Sequence, residues 1–307
     1  MSNCTAELMA SVGRQYVRHC PGSVGKSWMA AKCLNPYLRD HPRRRVVRTR
    51  FGAVVPVDTQ DLIQRYVYMF GTWEPHMTRW LSRRLRPGDT FIDVGANIGY
   101  FSLLAARLVG PSGRVVAIEA SPVLHRSVLA NVRRNACRNV RAVNTAVSDA
   151  RGSLRFTLAS SRNLGANSIV PYDGPAESSF EAQALPLTEV LTASEVAGAR
   201  VIKVDVEGAE GSVVRGMVPL LDRLRPDAEV TVEVTPERMA RLGDSAEELL
   251  ATMREHGFHA YRQPNDYAPE SYPAALRCAS TALARLRGPV LGECDLVFSR
   301  VDADTLP

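Results

Sequence analysis

The stretch that decides the fold runs from Thr90 to Ser102 and reads Thr-Phe-Ile-Asp-Val-Gly-Ala-Asn-Ile-Gly-Tyr-Phe-Ser. Its first five residues form an apolar run typical of a buried parallel strand. The glycines at positions 95 and 99 permit a tight turn, because no Cβ obstructs the backbone there. A helix is predicted from Tyr100 to Val109. The N–H groups at such a helix start can bind an anionic group of a ligand.

Beyond Ser102 the sequence alternates short apolar runs with amphipathic stretches of helical spacing. The predicted strands lie at residues 90–94, 114–119, 140–146, 201–206, 229–234, 259–263 and 295–299. The predicted helices lie at residues 100–109, 122–136, 209–221 and 246–256. Strands separated by helices pair in parallel through right-handed crossovers, which indicates an α/β, doubly wound, Rossmann-like sheet. Ligands bind such sheets at the carboxyl ends of the strands.

Two regions flank or interrupt this alternation. Residues 1–86 are predicted to form an N-terminal helical cap, and residues 87–307 the ligand-binding domain with insertions at 159–181 and 264–290. The first insertion is rich in Ser, Gly, Pro and Asn, so we expect a loop. The smaller elements expected are a strand or hairpin at 50–57, helices at 58–70 and 75–85, and a short strand at 153–158.

Two acids accompany the glycine turn. Asp93 ends the first strand and offers an acceptor to a cation such as an ammonium group. Glu119, twenty residues past Gly99, ends the second strand, where an acid can accept hydrogen bonds from ribose hydroxyls. The glycines are spaced G-x-x-x-G, whereas a nicotinamide site has G-x-G-x-x-G. The pattern therefore favours S-adenosylmethionine over NAD.

A second charged cluster lies at the end of the strand at 201–206. It comprises Lys203, Asp205, Glu207 and Glu210, and alternation along a strand would place the first three on one face. These groups could orient a substrate and take its proton, or they could be a helix N-cap with an internal ion pair. Glu233, at the end of the next strand, could line the same crevice or be a solvated strand end. Clustered carboxylates can hold Mg²⁺, but no second acidic pair is evident, so we expect no metal.

Composition excludes several other classes of protein. The chain has 307 residues and a formal net charge of +6, with arginine clusters at 43–50 and 83–86. We interpret these as solvated faces rather than a nucleic-acid surface, because they lack interleaved aromatic residues. Gly22-Ser-Val-Gly25-Lys26-Ser27 resembles part of a phosphate loop but lacks its first glycine.

The six cysteines match no zinc site or disulfide framework. The N-terminus shows no secretory signal, and no apolar run is long enough to span a membrane. A cytoplasmic protein with reduced thiols is expected.

These motifs together resemble the FkbM-type methyltransferase family over roughly residues 50–300. The matching segments are Phe70-Gly-Thr-Trp-Glu74-Pro75, Pro87–Tyr100, Asn131 and Asn135, Ala146-Val-Ser-Asp149, and Ile202–Glu210. The resemblance implies a class I methyltransferase fold, usually with seven strands of which the last is antiparallel. It also implies S-adenosylmethionine as methyl donor and S-adenosylhomocysteine as product.

Carried over by position, the resemblance assigns a set of cofactor residues. They are Glu74, Asp93, Gly95, Ala96, Asn97, Gly99, Tyr100, Glu119, Ala120, Ser121, Ala146, Val147 and Asp205. The first glycine turn would hold the methionine part, Glu119 the ribose, and the segment 145–148 would lie against the adenine. Glu74 would lie near the methionine end. Ala120-Ser121-Pro122 departs from the family, which more often has a proline directly after the acid.

The predicted activity is O-methylation of a small molecule, a secondary metabolite or sugar, as in natural product biosynthesis. The candidate bases are Asp205, Glu207 and Glu210, with Lys203 orienting them and Glu233 alongside. The alternatives are N-methylation of a small or peptide-like acceptor, an NAD-linked oxidoreductase, and a binding protein with a relic site. The expected partner is a small-molecule acceptor, not nucleic acid or a membrane, and a homodimer is an open alternative.

Overall fold

A computed structural model describes residues 3–158, 167–170, 178–278 and 282–306. The helices are α1 (Asn3–His19), α2 (Lys26–Trp28), α3 (Asn35–Asp40), α4 (Leu62–Phe70), α5 (Pro75–Arg84), α6 (Tyr100–Val109), α7 (Pro122–Arg134), α8 (Leu187–Val190), α9 (Ala193–Gly198), α10 (Glu210–Leu221), α11 (Pro236–Arg241), α12 (Ala246–Glu255) and α13 (Tyr272–Ala275). A π-helical segment, Met29–Leu34, joins α2 to α3.

The strands are β1 (Arg44–Arg48), β2 (Val54–Asp58), β3 (Thr90–Val94), β4 (Arg114–Ile118), β5 (Val140–Val143), β6 (Ala146–Val147), β7 (Gly152–Leu158), β8 (Asn167–Ser168), β9 (Ser178–Leu185), β10 (Ala199–Val204), β11 (Glu229–Val234), β12 (His259–Gln263), β13 (Leu283–Arg285), β14 (Cys294–Ser299) and β15 (Thr305–Leu306). The chain forms two compact units. Of the described residues, the first unit contains 3–79 and 265–278, and the second contains the rest.

The second unit contains a nine-stranded sheet in the order β15-β13-β12-β14-β11-β10-β3-β4-β5. The strands from β5 to β11 pair in parallel. The chain leaves β3 towards β4 and β5 and returns through β10 towards β11, so the strand order reverses between β3 and β10. The doubly wound, mostly parallel sheet is confirmed, and its topological switch point lies between β3 and β10.

The central strands are buried because helices cover them. All five residues of β3 are buried, and Ile92 and Ile202 share a core with Val213 and Met217 of α10 and Leu249 of α12. A strand buried on both faces needs a continuous apolar run rather than alternation. This requirement is why the strand at 90–94 could be predicted from sequence.

The antiparallel edge differs from the prediction. β14 is antiparallel, which confirms the expectation for the last strand, and it lies between β11 and β12. β13 and β15 then extend the edge, so the sheet has nine strands instead of seven. Such pairings join residues far apart in sequence, and local periodicity does not specify them.

A separate four-stranded sheet has the order β6-β9-β7-β8. The predicted strand at 140–146 is therefore wrong at its end: β5 stops at Val143, and Ala146–Val147 pairs with Ala184 and Leu185 of β9. The predicted loop at 159–181 is wrong where β8 and the start of β9 lie. Residues 159–166 and 171–177 of that loop lie outside the described residues.

The first unit is built from α1 to α4 and the hairpin β1-β2. The hairpin begins at Arg44, earlier than predicted, so the basic run is a strand rather than a leader to one. An aromatic cluster ties residues 265–278 to α4: Tyr66 contacts Tyr272 edge-on at 4.8 Å between ring centroids, and its hydroxyl donates to the carbonyl oxygen of Tyr267 at 2.6 Å. No helix among the described residues is long and apolar enough to cross a membrane.

Candidate functional site

The glycine turn between β3 and α6 lies at the switch point. Gly95 has φ +82°, and a Cβ built on it would lie 1.8 Å from the carbonyl oxygen of Asp205. Gly99 has φ +83°, but a Cβ there would meet only Val128 at an ordinary 3.5 Å. Both glycines therefore adopt the tight turn that the sequence predicted, and Gly95 is required in addition by the close approach of the Asp205 backbone, which the sequence did not predict.

The N–H groups of this turn are used within the protein. Those of Gly95 and Ala96 both donate to the carbonyl oxygen of Ile118 at 3.0 Å. The N–H of Asn97 donates to Oε2 of Glu119 at 2.7 Å. These three N–H groups are therefore occupied by the end of β4, which presents a carbonyl and a carboxylate to them. The expectation that the N–H groups at the start of the helix, from Tyr100 onwards, bind an anionic group stays a prediction. A bound ligand would instead meet side-chain acceptors at this edge.

Asp93 is one such acceptor. The residue is 1% exposed, and its Oδ2 accepts a hydrogen bond from the hydroxyl of Ser102 at 2.5 Å. Its Oδ1 is buried and has no hydrogen-bond partner among the described residues. Burial raises the pKa of Asp93 to about 6, opposed by the positive charge of Lys203. A buried acceptor without a partner is costly, so Oδ1 is suited to a donor supplied by a ligand.

Glu119 is the second acceptor. Its two carboxylate oxygens accept from the N–H groups of Asn97 and Ser121 at 2.7 and 2.8 Å. Each carboxylate oxygen can accept a second hydrogen bond, so capacity remains for two hydroxyl groups. Burial raises the pKa of Glu119 to about 7 against the effect of those two donors. Asn144, which sequence reasoning missed, donates to the carbonyl oxygens of Glu119 and Ala120 at 2.8 and 2.9 Å and so secures this corner.

The other predicted cofactor residues lie in several different elements of the fold. Tyr100 is buried and contacts Phe101 edge-on at 5.2 Å, and Ser121 caps α7 through its hydroxyl. Ala146 and Val147 are buried in β6. Glu74 belongs to the first unit, where its carboxylate accepts from the Tyr267 hydroxyl at 3.3 Å. The contribution of each of these residues to a cofactor site stays a prediction.

The second charged cluster lies at the ends of β10 and β11. The ammonium group of Lys203 donates to Oδ2 of Asp205 at 2.7 Å and lies 5.2 Å from the centroid of the Phe101 ring. One carboxylate oxygen each of Asp205, Glu207 and Glu233 lies within 4.8 Å of the other two. Sequence reasoning found no second acidic pair to complete a metal site, although it named Glu233 as a possible neighbour in the same crevice. The structure places Glu233 beside Asp205 and Glu207, so the spacing is one that a divalent cation or a shared proton could bridge.

Glu207 owes its place to an unusual backbone rather than to strand alternation. β10 ends at Val204, and Glu207 has φ +60°, in the left-handed region that few non-glycine residues adopt. Its carboxylate forms an ion pair with Arg238 of α11. Burial and the nearby charge of Asp205 raise the pKa of Glu207 above its ordinary value, and Arg238 opposes them.

Glu210 occupies a different environment from the other three acids. It is wholly buried, and its Oε1 accepts from the N–H of Gly208 at 2.9 Å. Its Oε2 has no hydrogen-bond partner among the described residues. Burial raises the pKa of Glu210 to about 7. One oxygen of Glu210 thus supports the turn before α10, and its assignment as a base stays a prediction.

Besides Asn144, two further residues of the site were missed from sequence. Ser102 lies one turn into α6, where a hydroxyl can reach back to an acid at the strand end. Arg238 lies on α11, the short helix after β11. Its position five residues after Glu233 was the sequence signal that could have indicated a cation near the acidic end of this strand. Neither belongs to a recognisable motif.

A family model described as the methyltransferase FkbM domain matches residues 93–260 of this chain. The chain belongs to this family. The match begins at Asp93 and includes the glycine turn, Glu119 and the whole second cluster, so both groups of acids lie inside the FkbM domain. The family resemblance inferred from sequence is confirmed, and with it the assignment as a methyltransferase.

The chain is also similar to individual methyltransferases. The chain is similar to 31-O-demethyl-FK506 methyltransferase FkbM of Streptomyces tacrolimicus, with 30% identity over 204 residues, 57% of this chain and 74% of that protein. It is also similar to a protein-L-isoaspartate O-methyltransferase of Triticum aestivum, with 32% identity over 179 residues, 56% of this chain and 71% of that protein. A crystal structure of methyltransferase FkbM from Methylobacillus flagellatus aligns with a TM-score of 0.43 and 12% identity, over 77% of this chain and 52% of that chain.

Proposed function

We propose that this FkbM-domain protein transfers a methyl group from S-adenosylmethionine to a hydroxyl group of a small molecule, a secondary metabolite or a sugar. The observation that carries the proposal is the cluster of Asp205, Glu207 and Glu233, whose oxygens lie within 4.8 Å of one another at the ends of β10 and β11. The names of the two relatives described above, 31-O-demethyl-FK506 methyltransferase and protein-L-isoaspartate O-methyltransferase, both refer to an oxygen atom as the site of methylation. This supports oxygen as the acceptor atom here.

The residues at the switch point fit the proposed donor. The free acceptor Oδ1 of Asp93 suits the ammonium group of the methionine part, and the remaining acceptor capacity of Glu119 suits the two ribose hydroxyls. When bound, S-adenosylmethionine supplies a methyl group on a positively charged sulfur. The family assignment and the doubly wound fold both support this donor.

In this proposal, the carboxylate cluster takes the proton that the acceptor hydroxyl loses. A hydroxyl becomes a better nucleophile as a base takes its proton, and a base is most effective when its pKa lies near the working pH. Glu207 has its pKa raised by burial and by Asp205, and Arg238 holds its carboxylate in place. We assign proton acceptance to the pair Asp205 and Glu207, with Lys203 holding Asp205 in position through its 2.7 Å hydrogen bond.

Calorimetric titration with S-adenosylhomocysteine tests the donor. We expect saturable binding to the wild type, loss of at least about tenfold in affinity for Asp93→Asn, and no binding of NAD. Binding of NAD without binding of S-adenosylhomocysteine would instead favour an oxidoreductase.

Transfer of a labelled methyl group to a panel of hydroxylated and amine-bearing small molecules tests the acceptor and the base. We expect Glu207→Gln and Asp205→Asn to lower kcat by about 10²-fold or more with unchanged affinity for S-adenosylhomocysteine. Glu237→Gln, an exposed acid on the same helix as Arg238, is the matched control. Near-normal turnover by both cluster variants would refute the assignment of the base, and label found only on amines would refute O-methylation.

The proposed location is the cytoplasm. Cys20, Cys33, Cys137, Cys278 and Cys294 are free thiols. Free thiols are typical of reducing compartments. This proposal does not affect the assignment of the site.

A further inference from the structure

The first unit contains a groove that the methyltransferase site does not use. It lies between α1, β1 and the turn after β1, and has a volume of about 550 Å³. Its cationic lining consists of Arg14, Arg18, His19, Arg45, Arg48 and Arg50, and no acidic residue lines it. We call this feature the arginine groove. Part of the basic run interpreted from sequence as a solvated face therefore lines a concave surface.

Three arginines of the groove donate hydrogen bonds to backbone carbonyl oxygens. Arg14 donates through Nε to the carbonyl oxygen of Tyr68 at 2.7 Å, and Arg18 donates to the same oxygen at 3.3 Å. Arg50 donates to the carbonyl oxygen of Phe70 at 2.9 Å. A carbonyl oxygen orients a guanidinium without cancelling its charge. The groups are thus held in place while their positive charge remains.

These positive charges also act on one another. Burial and the charges of Arg14 and Arg50 together lower the pKa of Arg18 to about 10. Burial and the neighbouring arginines and Lys26 lower the pKa of His19 as well. Both effects disfavour positive charge in the groove. An anion bound there would relieve the repulsion between the arginines.

Several arginines of the second unit form ion pairs with carboxylates. In the second unit, Arg141 pairs with Glu195 at 2.7 Å, and Arg114 lies 3.8 Å from the same carboxylate. Arg215 pairs with Asp149 at 3.0 Å. Arginines of this chain can therefore pair with acidic residues. The lining of the arginine groove differs from these sites because it contains arginines without Asp or Glu.

We propose that the arginine groove binds a small phosphorylated ligand. Guanidinium groups donate pairs of parallel hydrogen bonds that match the oxygens of a phosphate. A nucleic-acid strand fits less well, because binding a strand requires free aromatic faces on which bases stack. The Tyr68 ring in the groove is already covered by the guanidinium of Arg14, 4.3 Å from its centroid. This proposal rests on the first unit alone and is independent of the proposed methyl transfer.

Calorimetric titration of the full chain with pyrophosphate tests the proposal. We expect saturable binding of one pyrophosphate, weakened about tenfold by Arg45→Gln and by Arg48→Gln, the loss expected for one charge-assisted hydrogen bond. Both side chains are exposed, so neither variant should unfold the protein. Arg44→Gln is the matched control: Arg44 lies on the same strand, pairs with Asp58 at 2.8 Å and is not among the residues lining the groove. Its affinity should match that of the wild type.

Three outcomes would overturn the proposal. The first is the absence of saturable binding by pyrophosphate. The second is an equal loss of affinity in Arg44→Gln and in the two groove variants, which would indicate a general charge effect. The third is binding of a single-stranded oligonucleotide or of anionic phospholipid vesicles, abolished by the groove variants, when pyrophosphate itself does not bind.

Discussion

Replacing Gly95 by alanine should damage the methyltransferase domain far more than replacing Gly99. Both residues have nearly the same φ, +82° and +83°, so both substitutions place an alanine in the left-handed region. The surroundings differ. The new Cβ at position 95 would lie 1.8 Å from the carbonyl oxygen and 2.9 Å from the carbonyl carbon of Asp205. These are backbone atoms, which cannot rotate away as a side chain would.

The magnitude follows from these two contributions. The left-handed conformation costs a non-glycine residue about 1–2 kcal/mol, and this is the whole effect expected for Gly99→Ala. At position 95 the chain after β10 must also move by more than 1 Å, on the order of the overlap itself. That movement strains the hydrogen bond from the Asp205 N–H to the carbonyl oxygen of Val94, now 3.1 Å long. Adding overpacking of about 1–3 kcal/mol, we expect Gly95→Ala to lower the free energy of unfolding by about 4 kcal/mol.

Urea unfolding followed by circular dichroism measures both variants, and titration with S-adenosylhomocysteine reports on the site. Gly95→Ala should lose cofactor affinity, because the same displacement moves Asp205 away from Asp93 and Lys203. Gly99→Ala should remain folded. Equal losses of stability in the two variants would show that the left-handed conformation alone explains both glycines, and that the contact with Asp205 is relaxed in solution.

Three further predictions concern charge. Burial raises the pKa of Asp93 to about 6 from an ordinary 3.8, so ionisation costs the folded state stability as the pH rises between these values. Between pH 5 and 7.5 the free energy of unfolding of the wild type should fall by about 1.4 kcal/mol relative to Asp93→Asn, whereas parallel pH curves would contradict the burial argument. Arg238→Gln removes the cation that opposes the raised pKa of Glu207, so the acid limb of the pH profile of kcat/KM should move to higher pH; an unmoved limb would exclude Glu207 as the base. Methyl transfer should survive exhaustive chelation, and loss of activity restored by Mg²⁺ would assign the carboxylate cluster to a metal.

The parts of the fold that could be predicted from sequence are those specified by local patterns. β3 is buried on both faces, and its apolar run marks it without reference to any other strand. The position of β14 between β11 and β12 depends on pairings such as Thr231 with Val297, which lie far apart in sequence. β9 was missed because its polar residues alternate with small ones, and the Ser- and Gly-rich segment before it predicts a loop.

The same distinction applies to the site. Asp93, Glu119 and Asp205 could be found because each lies at the carboxyl end of a predicted strand, and the carboxyl ends of parallel strands meet at one edge. Glu207 was assigned to this edge by alternation, which ends at Val204. Its actual position depends on a left-handed backbone conformation and on Arg238, neither of which the local pattern contains. The glycines were predicted from the tight turn that they permit, whereas the close approach of the Asp205 backbone to Gly95 depends on a strand far along the sequence.

The charges around the cluster bear on the proposal that it acts as a base. Lys203 pairs with Asp205, and Arg238 pairs with Glu207. Burial and the nearby negative charges of Asp205, Glu210 and Glu293 nevertheless raise the pKa of Glu207. Negative charge is costly at a partly buried strand edge. The surroundings that raise the pKa of Glu207 would therefore also favour proton transfer from an acceptor hydroxyl, which supports the proposed role of Glu207 over a purely structural one.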